Sequence, residues 1–181
     1  MAGNEDHLEA VESLAGALES TGFEPVLIGG MALVILGSRR VTEDFDFVVS
    51  TQGRDMKELM GVMYRHGLEL VTRFNGVGDV VRTVDDPRVA AAKARAESPK
   101  SLFFAHDGTG LRIDLLLDFP FPAHALHERA RKVTLKSRPV HVAAPEDLLK
   151  LKEVASSDRK LSADAQDLDF LRNLLGKDRP S

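Results

Sequence analysis

One stretch constrains this chain more than any other: residues 28–49, IGGMALVILGSRRVTEDFDFVV. A paired glycine, Gly29-Gly30, follows a short apolar run. Glycine reaches backbone conformations closed to other residues and lets the main chain come close to a ligand. The next segment, residues 31–36, is apolar on every side and suits a short helix buried under a sheet. Asp44-Phe45-Asp46 then opens a strand-like run, residues 44–49. Strand side chains alternate, so Asp44 and Asp46 share one face while Phe45 and Phe47 take the other. The stretch reads as a phosphate-holding turn followed by a metal-holding strand.

The chemistry follows from charge. Two carboxylates side by side repel, and one resists ionising. A divalent cation removes that cost. Magnesium favours oxygen ligands and binds through one or two carboxylates plus substrate phosphates. Asp44 and Asp46 can bridge two such ions, and a two-ion site positions a nucleotide for in-line displacement. A glycine pair opening a helix offers free N–H donors to a phosphate. Taken singly, an acid pair on a wet strand face and a tight turn are both commonplace; their order and combination carry the argument. A third acid, Asp114, sits in the apolar run Leu111-Arg112-Ile113-Asp114-Leu115-Leu116-Leu117. An unpaired carboxylate there is costly, so Asp114 reads as functional rather than as a hydrogen-bonded structural aspartate. A carboxylate so placed can also take the proton from an attacking hydroxyl. Arg112 shares its face and can meet a phosphate, or is simply an edge-strand charge.

Around this stretch, helical and strand patterns alternate. Helices are expected at residues 5–19, 55–66, 87–97, 124–131, 145–155 and 161–175, and strands at 23–28, 68–74, 80–84, 102–105, 111–117, 133–135 and 140–142. The methionines at 56, 60 and 63 form a stripe that reads as core packing. Residues 87–97 are alanine-rich and helix-prone with a thin apolar face, hence a surface helix or a mobile insertion. Pro145 opens its helix in the favoured first position, with Glu146 and Asp147 at the positive end. Ser156-Ser157-Asp158 is expected to break it. With no repeat and no long linker, the expectation is one α/β (α+β) unit: a core over residues 1–143 and a helical C-terminal portion over 144–181 packed on it.

Composition excludes some classes. The net charge of −4 provides no global basic field for nucleic acid, so any basic patch must be local. Arg39-Arg40 and the group Arg129, Arg131 and Lys132 are such patches, though exposed charge is the plainer reading. There are no cysteines, hence no disulfide or thiolate metal site, which fits a reducing cytoplasm. The acidic N-terminus has no apolar signal core and no run approaches a membrane span, so a cytoplasmic protein is expected.

Gly29-Gly30, then Arg40-Val41-Thr42-Glu43-Asp44-Phe45-Asp46, then Ile113-Asp114-Leu115 resembles the DNA polymerase beta-like nucleotidyltransferase superfamily. The Arg-x-Thr-x-Asp-x-Asp form is most similar to small bacterial AbiEii-type nucleotidyltransferases, found as toxins of toxin–antitoxin and abortive-infection systems. That group also carries a Pro-x-Asp-Leu-x-x-x-Lys helix and then Asp-x-x-Asp. Here these are Pro145-Glu146-Asp147-Leu148-Leu149-Lys150-Leu151-Lys152 and Asp164-Ala165-Gln166-Asp167. The resemblance spans about residues 23–175 and implies a nucleotidyltransferase fold, a mixed twisted sheet flanked by helices. It implies that Asp44, Asp46 and Asp114 bind metal and catalyse, with Mg2+ (two ions) or Mn2+ as cofactor. Gly29, Gly30, Thr42 and Arg40 would hold the triphosphate. Lys152, with Lys150 competing, would reach the nucleotide, and Asp164 or Asp167 would orient the lysine or the C-terminal helices. Residues 75–101 match no part of the pattern.

His124 and His127 lie three apart, and His106 and His141 make a zinc site conceivable. No acid–histidine spacing of a known zinc motif is present, so none is expected. The expected function is therefore transfer of a nucleoside monophosphate from a nucleoside triphosphate to an acceptor hydroxyl. An RNA or tRNA end is favoured as acceptor, a protein hydroxyl comes next and a small molecule third. A cognate antitoxin is the implied partner. The competing class is a nucleotidyltransferase-fold module that binds nucleotide or protein without turnover; three carboxylates held together argue against it.

Overall fold

The acid-bearing segments meet because of the order in which strands join the sheet. The computed structural model describes residues 3–158 and 162–177. In chain order the elements are α1 (Gly3–Ser20), β1 (Val26–Ile28), α2 (Gly29–Ile35), β2 (Phe45–Val49), α3 (Met56–Arg65), β3 (Glu69–Phe74), β4 (Val80–Val84) and α4 (Pro87–Glu97). There follow β5 (Ser101–Ala105), β6 (Arg112–Leu117), α5 (Ala123–Arg129), β7 (Arg131–Thr134), β8 (Pro139–Val142), α6 (Pro145–Asp158) and α7 (Ser162–Lys177). The strands form one mixed sheet, β4-β3-β5-β6-β2-β1-β8-β7. The β2–β6 and β1–β8 pairs are parallel and the other neighbours antiparallel.

Periodicity explains the packing. On α1, Val11, Leu14 and Leu18 repeat at helical spacing and are fully buried, with α1 lying against α3 and β8. Asp55 caps α3, its carboxylate accepting from the Lys57 N–H at 3.0 Å. Leu59, Met60, Val62 and Met63 then turn inward, so most of the methionine stripe is core. Phe45 and Phe47 on β2 are buried in the same core, which leaves Asp46 on the opposite face.

Four expectations need adjusting. The first strand starts at Val26 rather than at 23, because Glu24 adopts a left-handed φ of +48° and Pro25 follows. The 87–97 segment is a helix packed on α3, with Ala90 and Ala91 fully buried. Alanine suffices there because small side chains let two helices approach closely. Helix α6 continues through Ser156 and Ser157 to Asp158; their hydroxyls donate to the carbonyls of Glu153 and Val154 at 3.1 and 2.7 Å, which accommodates serine inside a helix. The expected start of the last helix, Leu161, lies outside the described residues. The β7–β8 hairpin, finally, is part of the main sheet, since β8 joins β1 at Leu27↔Val142 and the Ala143 N–H donates to the Leu27 carbonyl at 3.0 Å.

One buried acid of α1 holds this hairpin in place. Glu12, 2% exposed, accepts from the N–H groups of Lys136, Ser137 and Arg138 at 3.0–3.1 Å and from the Ser137 hydroxyl at 2.7 Å. These bonds, led by those from Ser137, hold its carboxyl down at about 2. Among the described residues, no helix is long and apolar enough to cross a membrane.

Candidate active site

The site is built outward from β2. Asp46 and Asp114 are register partners across the parallel β2–β6 pair. On its other side Asp46 pairs with Ile28, the last residue of β1. Gly29 therefore leaves the sheet beside Asp46. A Cβ at Gly29 would stand 2.2 Å from Asp46 Oδ2, and its φ of +70° is left-handed, so glycine is required twice over. A Cβ at Gly30 would lie 3.0 Å from Arg40 Cζ and 3.2 Å from Thr42 Oγ1. Gly29, Gly30, Arg40 and Thr42 thus face one another around the start of α2, whose cap residue Ile28 makes no side-chain cap bond. Asp44 sits one residue before β2, exposed, rather than within the strand.

The electrostatics are those of an acid cluster that nearby cations offset only in part. Burial pushes the Asp114 carboxyl up to about 7, and the charges of Asp46 and Asp44 add to the effect. Burial and Asp44 push Asp46 up to about 6, against opposing pulls from Lys152 and Arg40. Asp114 Oδ1 is buried with no hydrogen-bond partner. Native interiors seldom leave a carboxylate oxygen in that condition, and it fits an oxygen reserved for a cation. The donor set, carboxylate oxygens beside a glycine turn, also suits magnesium.

The C-terminal helices supply positive charge. Lys152 of α6 reaches Asp164 Oδ1 at 3.2 Å and Asp167 Oδ2 at 2.8 Å, both on α7. Asp167 is 3% exposed and also accepts from Arg40. Arg40 and Lys152 are thereby anchored by one buried carboxylate while their charges act on Asp46. Lys150, by contrast, is exposed. The geometry brings together Asp44, Asp46, Asp114, Gly29, Gly30, Arg40, Thr42, Lys152 and Asp164.

Comparison with known proteins shows the family of the chain. The profile of the family "Nucleotidyl transferase AbiEii toxin, Type IV TA system" matches residues 13–180. The chain belongs to the AbiEii family. It is a nucleotidyltransferase of the toxin–antitoxin kind. No curated protein sequence matches it. Its fold is similar to that of an antigenic nucleotidyltransferase-like protein from Paracoccidioides brasiliensis, at 17% identity and a TM-score of 0.59, over 95% of this chain and 78% of that one. It is also similar to that of the antibiotic-resistance factor ANT(2'')-Ia, at 12% identity and a TM-score of 0.61, over 96% and 86%.

In this AbiEii-family chain two cavities adjoin the acids. One, of about 130 Å³, is lined by Asp44, Asp46, Asp114 and Arg112 and by the aromatic pair Phe74 and Phe103. Those rings meet edge to face at 5.4 Å between centroids, and both are exposed, at 39% and 42%. The other, of about 210 Å³, runs from Gly29 and Lys152 along apolar walls that include Leu33, Leu116 and Phe119. Sequence reasoning missed the aromatic pair; its signal was faint, two phenylalanines on strands that pair only through the sheet. Two of the arginines offered as possible phosphate partners are engaged with the protein instead. Arg129 makes a bidentate pair with the buried Asp147, both bonds 2.9 Å, which fixes α5 to α6. Arg112 donates to the Gly78 carbonyl at 3.1 Å and so braces the β3–β4 turn.

Proposed function

We propose that this AbiEii-family nucleotidyltransferase moves a nucleoside monophosphate from a nucleoside triphosphate to the 3′ end of an RNA, with tRNA as the favoured acceptor. The observation that carries the metal-dependent reading is the partnerless buried oxygen of Asp114 opposite Asp46. In this reading Asp44, Asp46 and Asp114 hold magnesium, in two ions, with manganese able to substitute. When bound, the cations neutralise phosphate charge and stabilise the attacking and leaving oxygens.

The chain's own residues do the rest. Gly29 and Gly30 leave room for the triphosphate, and Thr42 and Arg40 face them. Lys152 bears on the nucleotide from the C-terminal side, held in position by Asp164 and Asp167. The reading takes residues 144–181 as a helical portion that delivers this lysine to the core of residues 1–143. The apolar cavity beyond Gly29 and Lys152 suits the nucleoside. The acceptor hydroxyl gives its proton to Asp114. The acceptor oxygen bonds to the α-phosphorus, and the bond to pyrophosphate breaks, with pyrophosphate leaving with the electron pair. Phe74 and Phe103 in the acid-lined cavity offer a stacking surface for an unpaired base, which favours an RNA end over a protein hydroxyl.

The test is incubation with each α-labelled triphosphate, magnesium, and total RNA or total protein. Label entering RNA, and lost in Asp46→Ala, is the expected result. Label entering protein alone would overturn the acceptor. Tight triphosphate binding without transfer to any acceptor would overturn the enzyme reading in favour of a silent binding module.

A further inference from the structure

A second polar cluster lies where α1, α5 and β8 come together, and it shares no residue with the acid site. Glu19 is in the last turn of α1, His127 near the end of α5 and His141 on β8. His127 Nε2 is 2.8 and 3.0 Å from the two Glu19 oxygens, and His141 Nδ1 is 3.6 Å from Glu19 Oε2. The imidazoles stack with centroids 4.0 Å apart and planes inclined by 29°. Both histidine side chains are 18% exposed, and Glu19 is 39% exposed and open to solvent. One ligand atom from each residue lies within 4.8 Å of the other two.

We propose that Glu19, His127 and His141 form a binding site for a divalent transition metal of the zinc class, with the fourth coordination position open to water. Ligand bonds of about 2.0–2.2 Å in a tetrahedron set neighbouring ligand atoms roughly 3.4 Å apart. The Glu19–His141 separation of 3.6 Å is already close to that edge, and the remaining atoms need side-chain adjustments of the order of an ångström. Two imidazole nitrogens and a carboxylate are ligands that zinc, nickel and copper accept readily and magnesium does not.

A plain ion pair joins only Glu19 and His127; it does not account for His141, which stacks on His127 at 4.0 Å between centroids with its own Nδ1 3.6 Å from the same carboxylate. The three residues are remote in sequence, so a bound ion would fasten the first helix to the β7–β8 side of the sheet. Sequence spacing hid the site because His124, three residues from His127, points to other acids, Glu24 and Glu128.

The test uses the full chain stripped of metal and titrated with Zn2+ and with Co2+. One equivalent is expected to bind outside the acid site, so binding persists in Asp46→Ala, and thermal stability rises. His127→Gln and His141→Gln should each weaken this uptake about 100-fold or more while leaving nucleotidyl transfer intact. Undiminished uptake in both histidine variants overturns the proposal. So does a Co2+-loaded wild-type protein without the visible absorption of a tetrahedral nitrogen-ligated ion, a readout that does not depend on any variant folding.

Discussion

Asp114 stands directly across from Asp46 on the parallel strands β2 and β6, and one of its oxygens has no partner. The charge of Asp46 raises the proton affinity of Asp114 unless a cation intervenes. Their raised proton affinities favour the folded state at low pH, where both are neutral. That contribution is lost as pH rises from 3.8 through about 6 and about 7. Without metal, Asp114→Asn should therefore be more stable at pH 8 than the wild type. Discounted for coupling and partial exposure, the gain is about 1 kcal/mol, or about 2–4 °C in Tm. The same variant should lose about 10²–10⁴-fold in transfer rate. Thermal melts in chelator, run beside turnover assays, check both, and a drop in Tm would count against the strained pair.

Gly29→Ala should separate stability from activity. The left-handed backbone costs about 1–3 kcal/mol for a residue with a side chain. The added methyl meets Asp46 Oδ2, so transfer should fall far more than folding does. Circular dichroism and single-turnover rates distinguish the two. A variant with normal turnover would mean that position 29 does not border the reacting phosphates.

Lys152→Met should raise KM for the triphosphate by about tenfold or more, the loss of one charge-assisted contact, whereas Lys150→Met should leave it unchanged. Steady-state kinetics on the two variants decides which lysine serves the nucleotide.

Glu12→Gln should lower thermal stability at neutral pH and flatten the acid limb of the stability curve. The Glu12 carboxyl is depressed from 4.5 to about 2, so the stability it contributes is present above about 4.5 and lost as pH falls toward 2. Denaturant melts across that window on both proteins measure it.

Much of the candidate site is legible in the sequence alone. Gly29-Gly30, Asp44-x-Asp46 and Asp114 are local signatures, because strand alternation and turn chemistry are written into neighbouring residues. Lys152 and its acids follow from the family resemblance. Pairings between distant segments are not legible in this way. Nothing near Glu12 announces that residues 136–138 will close around it, 124 positions on. The entry of β8 beside β1 depends on a single parallel register, which no hairpin signal encodes. The 87–97 helix is obscured for a different reason: a thin apolar face looks solvent-bound until the neighbour that matches it is known, and here that is α3.

The anchoring of Lys152 and Arg40 by α7 has a consequence for timing. A ribosome delivers the glycine turn, all three aspartates and Arg40 well before it delivers Asp164 and Asp167, with Lys152 following only shortly ahead of them. Until those two acids emerge, the positive charges that bear on Asp46 have nothing to hold them in place. Docking of α7 is thus the folding step that fixes the two charges bearing on Asp46.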